Sequence, residues 1–377
     1  MNTYFYFETI YQSKKSRARV GRIHTPHGII DTPSFVAVGT NGTLKALDNA
    51  VLNQLNQQLM FCNTYHLMLH PGPDIVEQAG GLHKFIGRNQ PIITDSGGFQ
   101  VFSLAYGGVA SELKSKGQKN TKNSVLKINE DGVTFRSYRD GSLLQLTPES
   151  SIIAQKKLGA DIIIPFDELP PYHIDERALK RSLDRTHRWE KRSLDQHRLD
   201  LRQQAMYGVI HGGIIPELRR ESCEVLSKLP FDGFAIGGSV GKNREEMIEM
   251  LKYVLPMLPE DKPNHLLGIA DLPSIEAIIP LGIDTFDSSH PTKLARHGHL
   301  MTMQGTKKIT QNIWKTDFTP IDPTCSCHTC QNYSISFIYH LFKAKEAAAH
   351  TLATIHNIAY MNKLMQIYRE KILAGDL

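Results

Sequence analysis

The sequence predicts an α/β protein whose parallel strands close into an eight-stranded (β/α)8 barrel. Three observations carry that prediction. Eight short apolar runs each stop at a glycine or a polar residue. Polar, helix-compatible stretches separate most of them. Chemically useful residues fall at nearly every strand end rather than at one place. Strands alternating with helices argue a parallel sheet, and eight such units argue closure. The competing fold, an open doubly wound sheet, would gather its ligand groups at a single crevice.

Taken in order, the first run is Ser34–Val38, before Gly39-Thr40, and the second is 59–62, before Asn63-Thr64-Tyr65-His66. The third, Ile92–Thr94, is the most informative. It stops at Asp95 and continues as Ser96-Gly97-Gly98-Phe99-Gln100. A rigid strand ending in a carboxylate, followed by thin glycine backbone, lets a flat ligand approach the reactive group. The fourth, 162–166, precedes Asp167-Glu168, and the fifth, 206–210, precedes His211-Gly212-Gly213. The sixth, 234–236, precedes Gly237-Gly238, and the seventh, 265–267, precedes Gly268. The last, Thr285-Phe286, precedes Asp287-Ser288-Ser289. The clearest helices are 178–202 and 244–255. Two segments depart from the alternation. The stretch 111–124, rich in Lys, Ser and Asn, reads as a surface insertion. After about Trp314, Pro320 and Pro323 bracket a loop, a cysteine cluster follows, and a long helical stretch runs from about 334 to 372. The expected organisation is a barrel domain over 1–315 and a C-terminal subdomain over 316–377, its long helix packed on the barrel.

The chain has 377 residues and a net charge of +5, with a pI of about 8.8. This mild basic bias permits an anionic partner without requiring one. No apolar segment approaches a membrane span, and the N-terminal residues lack the apolar core of a signal peptide. A cytoplasmic protein with no membrane association is expected. Of five cysteines, Cys62 and Cys223 are isolated and read as buried thiols. Cys325, Cys327 and Cys330 are clustered, which in a reducing compartment favours a metal site over a disulfide.

Three carboxylates, Asp95, Asp167 and Asp287, sit at expected strand tips. Two such acids suit glycosyl transfer, one as nucleophile and one as general acid/base. The third can accept from a ring N–H and an exocyclic amine of a base edge. The competing reading for each is a helix cap. His211 can donate to a base carbonyl or serve as a satisfied core histidine. Gly237-Gly238 leaves backbone N–H free for a ligand or makes a tight turn. The C-x-C-x-x-C spacing supplies three thiolates, and tetrahedral zinc needs a fourth ligand. His340, His350 and His356 are candidates, and His328 lies inside the knuckle. Four protein ligands leave no open position, so such a zinc is structural. His290, Lys293, Arg296, His297 and His299 follow Asp287 closely and suit a phosphate-bearing substrate. The basic run 180–202 reads as a solvated helix face.

Together these residues resemble the tRNA-guanine transglycosylase family, the queuine tRNA-ribosyltransferases, of bacterial type. The resemblance covers nearly the whole chain. It rests on Gly39-Thr40, Asn63-Thr64-Tyr65-His66-Leu67, Thr94-Asp95-Ser96-Gly97-Gly98-Phe99-Gln100, Phe166-Asp167-Glu168, the segment 233–238, Phe286-Asp287, Pro291-Thr292, the cysteine cluster and His356-Asn357. It implies a (β/α)8 TIM barrel with a C-terminal zinc-binding subdomain. It also implies exchange of the wobble guanine of tRNAs with GUN anticodons (Asp, Asn, His, Tyr) for a 7-deazaguanine, within queuosine modification. By resemblance, Asp287 is the nucleophile that attacks the ribose and Asp95 the general acid/base. Asp167 binds the base edge, with Ser96, Gly97, Gly98 and His211 around the base. Gly238 offers backbone to its carbonyl and Phe99 stacks on it. The anticodon loop is gripped by Gly268, Ile269, Ala270, Asp271, Leu272, Pro273 and Ser274, and by Thr292, Lys293, Leu294, Ala295 and Arg296. One structural zinc per chain is bound by Cys325, Cys327, Cys330 and His356. A homodimer is implied.

The sequence departs from the bacterial pattern at three places. His211 stands where Gln is usual. Gly237-Gly238-Ser239-Val240-Gly241-Lys242 replaces Gly-Gly-Leu-Ala-Val-Gly-Glu, which shortens the loop by one and exchanges an acid for Lys242. The insertion at 111–124 is longer than usual. The first two fall on the incoming-base pocket. A lysine that cannot accept hydrogen bonds from an aminomethyl group, and a shorter loop, lean toward a bulkier base such as queuine. Two other readings compete. A non-catalytic tRNA-binding subunit is disfavoured by retention of Asp95 and Asp287, and a zinc hydrolase by a closed ligand set.

Overall fold

The computed structural model describes residues 4–106 and 125–377; the insertion expected at 111–124 lies outside the described residues. Three antiparallel strands open the chain: β1 (Tyr6–Gln12), β2 (Arg19–Thr25) and β3 (Gly28–Thr32). β4 (Ser34–Val38) then begins the barrel, followed by α1 (Asn49–Gln54), β5 (Met60–Cys62), α2 (Thr64–Leu69), α3 (Pro73–Gln78), α4 (Leu82–Ile86), β6 (Ile92–Thr94) and α5 (Gly98–Tyr106). A second antiparallel sheet, β7 (Val125–Ile128), β8 (Val133–Arg136) and β9 (Leu143–Leu146), leads to α6 (Pro148–Leu158). The barrel resumes with β10 (Ile162–Ile163), α7 (Glu176–Arg198), β11 (Ala205–Ile210), α8 (Pro216–Leu226), β12 (Gly233–Ile236), α9 (Arg244–Val254), β13 (Asn264–Leu266), α10 (Leu272–Ile278) and β14 (Thr285–Ser288). After α11 (His290–Arg296) come the hairpin β15 (His299–Thr302) and β16 (Gly305–Lys308), then α12 (His328–Asn332), α13 (Ile335–Ala344) and α14 (Ala347–Leu373).

The eight expected strands close on themselves in the order β4-β5-β6-β10-β11-β12-β13-β14, every neighbouring pair parallel. Side chains alternate along them, as strand geometry requires. On β4, Phe35 and Ala37 join the apolar cluster shared with the helices, while Val36 and Val38 pack with Ile93, Val209 and Ala235 inside the barrel. Ile23 and Ile30 of the N-terminal sheet belong to that inner cluster, so the sheet closes one end of the barrel. The strand tips stand at the other end.

Several bounds differ from expectation. β10 stops at Ile163 because the Ile164 backbone is tied to the Gln155 side chain on both its N–H (3.1 Å) and its C=O (2.8 Å). Pro165, with no N–H to offer, follows. Asp287 lies within β14, paired with Val36, rather than beyond it. The C-terminal helix expected over 334–372 is two helices. Lys345 breaks it at φ 59°, and its N–H bonds the Leu341 carbonyl as an αL cap. α14 lies across α11, β15 and β4, and its Ile358 and Met361 join the same apolar cluster as Phe35.

Candidate active site and metal centre

One cavity of about 440 Å³ opens at the strand tips, and seven of the eight tips contribute to it. Thr40 follows β4, Asn63 follows β5, Asp95 and Ser96 follow β6, and Asp167 follows β10. Gly237 and Gly238 follow β12, Gly268 follows β13, and Asp287 comes from β14. Phe99 and Gln100, at the start of α5, complete one wall. Phe99 is 46% exposed, an aromatic face left at the mouth.

Asp95 is buried, and among the described residues no cationic group hydrogen-bonds to it. Oδ2 accepts from Asn63 Nδ2 at 2.6 Å, and Oδ1 from the N–H of Thr64 (2.7 Å) and Gly97 (3.2 Å). Burial pushes its carboxyl up to about 6, and these neutral donors offset only part of that cost. The group can therefore gain and lose a proton near neutral pH. Asp287 is also buried. Its Oδ1 accepts from the Gly268 N–H at 2.9 Å and faces His265 Nε2 at 3.2 Å.

Asp167 is held by Ser96 Oγ at 3.0 Å and His211 Nε2 at 2.8 Å. The His211 ring is buried behind Asp167, its backbone N–H donates to Ser222 Oγ, and it is absent from the cavity that holds Asp95 and Asp287. The Nε2 nitrogen of His211 is engaged by the Asp167 carboxylate. Gly238, at φ 73°, packs against the same ring: a Cβ there would lie 2.8 Å from His211 Nδ1. Gly238 is shared by a second cavity of about 270 Å³, lined by Pro171, Tyr172, Leu179 and His211 among others.

Lys242 does not line the cavity that holds Asp95 and Asp287. Its Nζ pairs with Glu246 Oε1 at 2.9 Å and its backbone N–H donates to Glu246 Oε2 at 3.0 Å. Its positive charge is matched one helical turn away.

The segment 268–274 divides. Gly268 and Pro273 are exposed, while Ala270 and Ser274 are buried. Asp271 caps α10 through the Ser274 N–H and pairs with Arg244 at 3.0 Å. On α11, Thr292 and Ala295 are buried, Lys293 is exposed, and Leu294 and Arg296 are half-buried. Lys293 is thus the accessible cation of that segment. The basic run of α7 is a solvated face matched by acids: Lys191 with Asp195, Arg188 with Glu130 and Arg192 with Glu149. Cys62 and Cys223 are buried, and burial pushes the Cys62 thiol up to about 12.

Cys325, Cys327, Cys330 and His356 converge, with their ligand atoms all within 4.8 Å of one another. His356 lies on α14, fully buried. Its Nε2 bonds the Met301 carbonyl at 2.8 Å. That contact places the proton on Nε2 and leaves the Nδ1 lone pair facing Cys330 Sγ (3.3 Å) and Cys327 Sγ (3.8 Å). Three sulfurs and a correctly turned imidazole fit a tetrahedral ion. The alternatives are used elsewhere: His340 stacks on Phe337 and His350 lies against Phe342. Cys325, Cys327 and His356 line a different cavity from Asp95 and Asp287.

The reading of strand tips missed His265, treated only as the start of an apolar run. Its signal was available: Asp287 lies two residues beyond Thr285, and Thr285 is His265's partner on the neighbouring strand, so His265 and Asp287 share a face.

Against this geometry stand the comparisons with known proteins. A family model described as "TGT: Queuine tRNA-ribosyltransferase" matches residues 13–377. The chain is 67% identical over 370 residues to "Queuine tRNA-ribosyltransferase" of Protochlamydia amoebophila (strain UWE25), covering 98% of this chain and 96% of the relative. It is 56% identical over 372 residues to the protein of the same description from Chlamydia caviae, covering 98% and 99%. To that of Chlamydia trachomatis serovar A it is 55% identical over 368 residues, covering 97% and 98%.

Proposed function

The chain belongs to the queuine tRNA-ribosyltransferase family, whose members are pentosyltransferases, and from that premise we propose that it exchanges the wobble guanine of GUN-anticodon tRNAs for a 7-deazaguanine. One observation carries the reading above all others. Asp95 and Asp287, from different strands, line the same cavity with Asp167, Gly238 and Phe99.

In this reading an Asp287 oxygen bonds to the ribose C1′ as the C1′–N9 bond to guanine breaks. A carboxylate beneath the ring stabilises the cationic sugar of the transition state. Guanine leaves with the bonding electron pair on N9 and takes a proton from Asp95. The incoming base gives its N9 proton to Asp95, attacks C1′, and expels the Asp287 carboxylate. The proton returns to its origin, and one glycosidic bond replaces another. Asp167 reads the base edge, turned toward it by Ser96 and His211. Phe99 stacks on the base. The base must leave its stack to enter such a pocket. Lys293 meets the phosphates of the anticodon loop.

One zinc per chain, held by Cys325, Cys327, Cys330 and His356, supports the C-terminal helices. Bound there, it would stabilise the fold and take no part in base exchange. Elemental analysis should give one zinc in the wild type and a loss in His356→Ala; unchanged zinc in that variant would refute the ligand set. We assign the working assembly as a homodimer, to be checked by its mass in solution.

For the incoming base we assign queuine over the aminomethyl-deazaguanine, on the shortened loop at 239–241 and the second cavity that meets the first at Gly238. The test is exchange of labelled guanine from purified tRNA by each base separately. A higher kcat/KM for queuine, unchanged in Lys242→Glu, is expected. No guanine release with either base would overturn the activity; preference for the aminomethyl base would overturn only the base assignment.

A further inference from the structure

The Asp287 carboxylate is not held by backbone alone. We infer that His265 is a positioning residue that fixes which oxygen of Asp287 attacks the ribose, an inference that rests on Asp287 being the nucleophile.

His265 is fully buried on β13. Both its ring nitrogens face partners on the neighbouring strand β14: Nδ1 lies 2.9 Å from Thr285 Oγ1, and Nε2 lies 3.2 Å from Asp287 Oδ1. Phe61 stacks beside the ring at a centroid distance of 6.0 Å, so it has little freedom to turn. A carboxylate only accepts hydrogen bonds, so the nitrogen facing it carries the proton. Thr285 can donate or accept and also reaches the Asn264 carbonyl at 3.2 Å. It therefore accommodates Nδ1 in either state while Nε2 keeps its proton toward Asp287.

Oδ1 thus receives two donors, His265 Nε2 and the Gly268 N–H. Together they stop rotation of the carboxylate and draw its negative charge to Oδ1. The other oxygen is left as the one that bonds to C1′. When the glycosyl ester forms, Oδ1 becomes its carbonyl oxygen and keeps both hydrogen bonds. When the ester breaks, the same donors stabilise the departing carboxylate. Loss of His265 should therefore slow adduct formation and adduct breakdown together.

The test separates the two ring nitrogens. In His265→Gln the side-chain amide can reach toward Asp287, in place of Nε2. In His265→Asn it reaches only toward Thr285, in place of Nδ1. His265→Phe keeps a flat ring and removes both. Single-turnover formation of a denaturant-resistant tRNA adduct, turnover, KM for tRNA and Tm are measured on the full chain carrying its metal. Gln should stay within about fivefold of wild type. Asn and Phe should lose about 10- to 100-fold in both half-reactions, with KM for tRNA unchanged and with Asn and Gln alike in Tm. Equal rates for Asn and Gln, or rates that follow Tm across the three variants, would overturn the inference alone. Adduct persisting in Asp287→Asn would overturn the nucleophile assignment and this inference with it.

Discussion

Both ends of this barrel carry buried aspartates at strand termini, and Asp95 at the open end is treated in the opposite way to the two at the closed end. At the closed end, Asp161 and Asp284 stand just before β10 and β14. Asp284 receives Arg19 of the N-terminal sheet twice, at 2.8 and 2.6 Å, and the Asn264 N–H at 2.8 Å. Burial lowers the Arg19 guanidinium, yet Asp284 more than restores it. Asp161 lies against His27 at 2.8 Å and His83 at 3.1 Å, and accepts the Ile92 N–H. Burial alone would raise its carboxyl, but the hydrogen bonds from His27 and His83 hold it well below the usual range. At the open end, Asp95 has neutral donors only among the described residues and is pushed up to about 6. The lesson is that burial does not set the role of an acid; the counter-charge does. A matched carboxylate ties sheet to barrel, whereas an unmatched one beside a cavity is available for chemistry.

Substitutions at the two ends should therefore separate activity from stability. The largest effect is expected for Asp287→Asn: base exchange should fall at least about 10³-fold, about 4 kcal/mol of barrel-end chemistry, while Tm changes little. Steady-state kinetics with tRNA, alongside thermal melting, checks both halves. Asp284→Ala should do the reverse. Leaving Arg19 buried without its partner should cost about 3 kcal/mol of stability, read by urea titration, with the folded fraction still active. Equal damage to activity and stability at both ends would erase the distinction.

Asp95 gives a finer contrast through pH. Its folded value lies above its unfolded one, so folding takes up a proton between about pH 4 and about pH 6. The stability it contributes is complete below about pH 4 and is lost as pH rises through about 6. Relative to wild type, Asp95→Asn should gain up to about 2 kcal/mol between pH 4 and pH 8. A difference that stays flat across that range would mean the carboxyl is not raised. The smallest effect belongs to the periphery. Lys293→Ala should weaken tRNA binding by about 1 kcal/mol and reduce the salt slope by about 0.7. Titration at several salt concentrations measures it, and an unchanged slope would place Lys293 off the phosphates. Lys293 is the cleaner probe because Arg296 is half-buried and its Nη1 has no hydrogen-bond partner among the described residues.

How much of this was readable follows the same division. The open end was legible because apolar runs stop abruptly there at acids and glycines, so Asp95, Asp167, Gly238 and Asp287 were found at or near their strand ends. The closed end was not. Asp161 and Asp284 precede strands, and their partners His27, His83 and Arg19 come from distant sequence. β1 went unseen because it lies on the surface, where its side chains are mostly exposed and give no alternation. The break in the C-terminal helix was hidden because Lys345, not glycine, takes the left-handed conformation. The cysteine cluster was legible by spacing, but choosing His356 over His340 and His350 took the resemblance to a family. His211 and Lys242 stand beside Asp167 and Glu246, neighbours that a sequence does not reveal.

The central claim is that the acids of the open end form a covalent base-exchange site with Asp287 as nucleophile. Its most direct test is to incubate the wild-type protein with tRNA, denature, digest both components, and locate the nucleotide-bearing peptide by mass. The account predicts a ribosyl adduct on the peptide containing Asp287, absent in Asp287→Asn. An adduct on the Asp95 or Asp167 peptide, or none during active exchange, would contradict it.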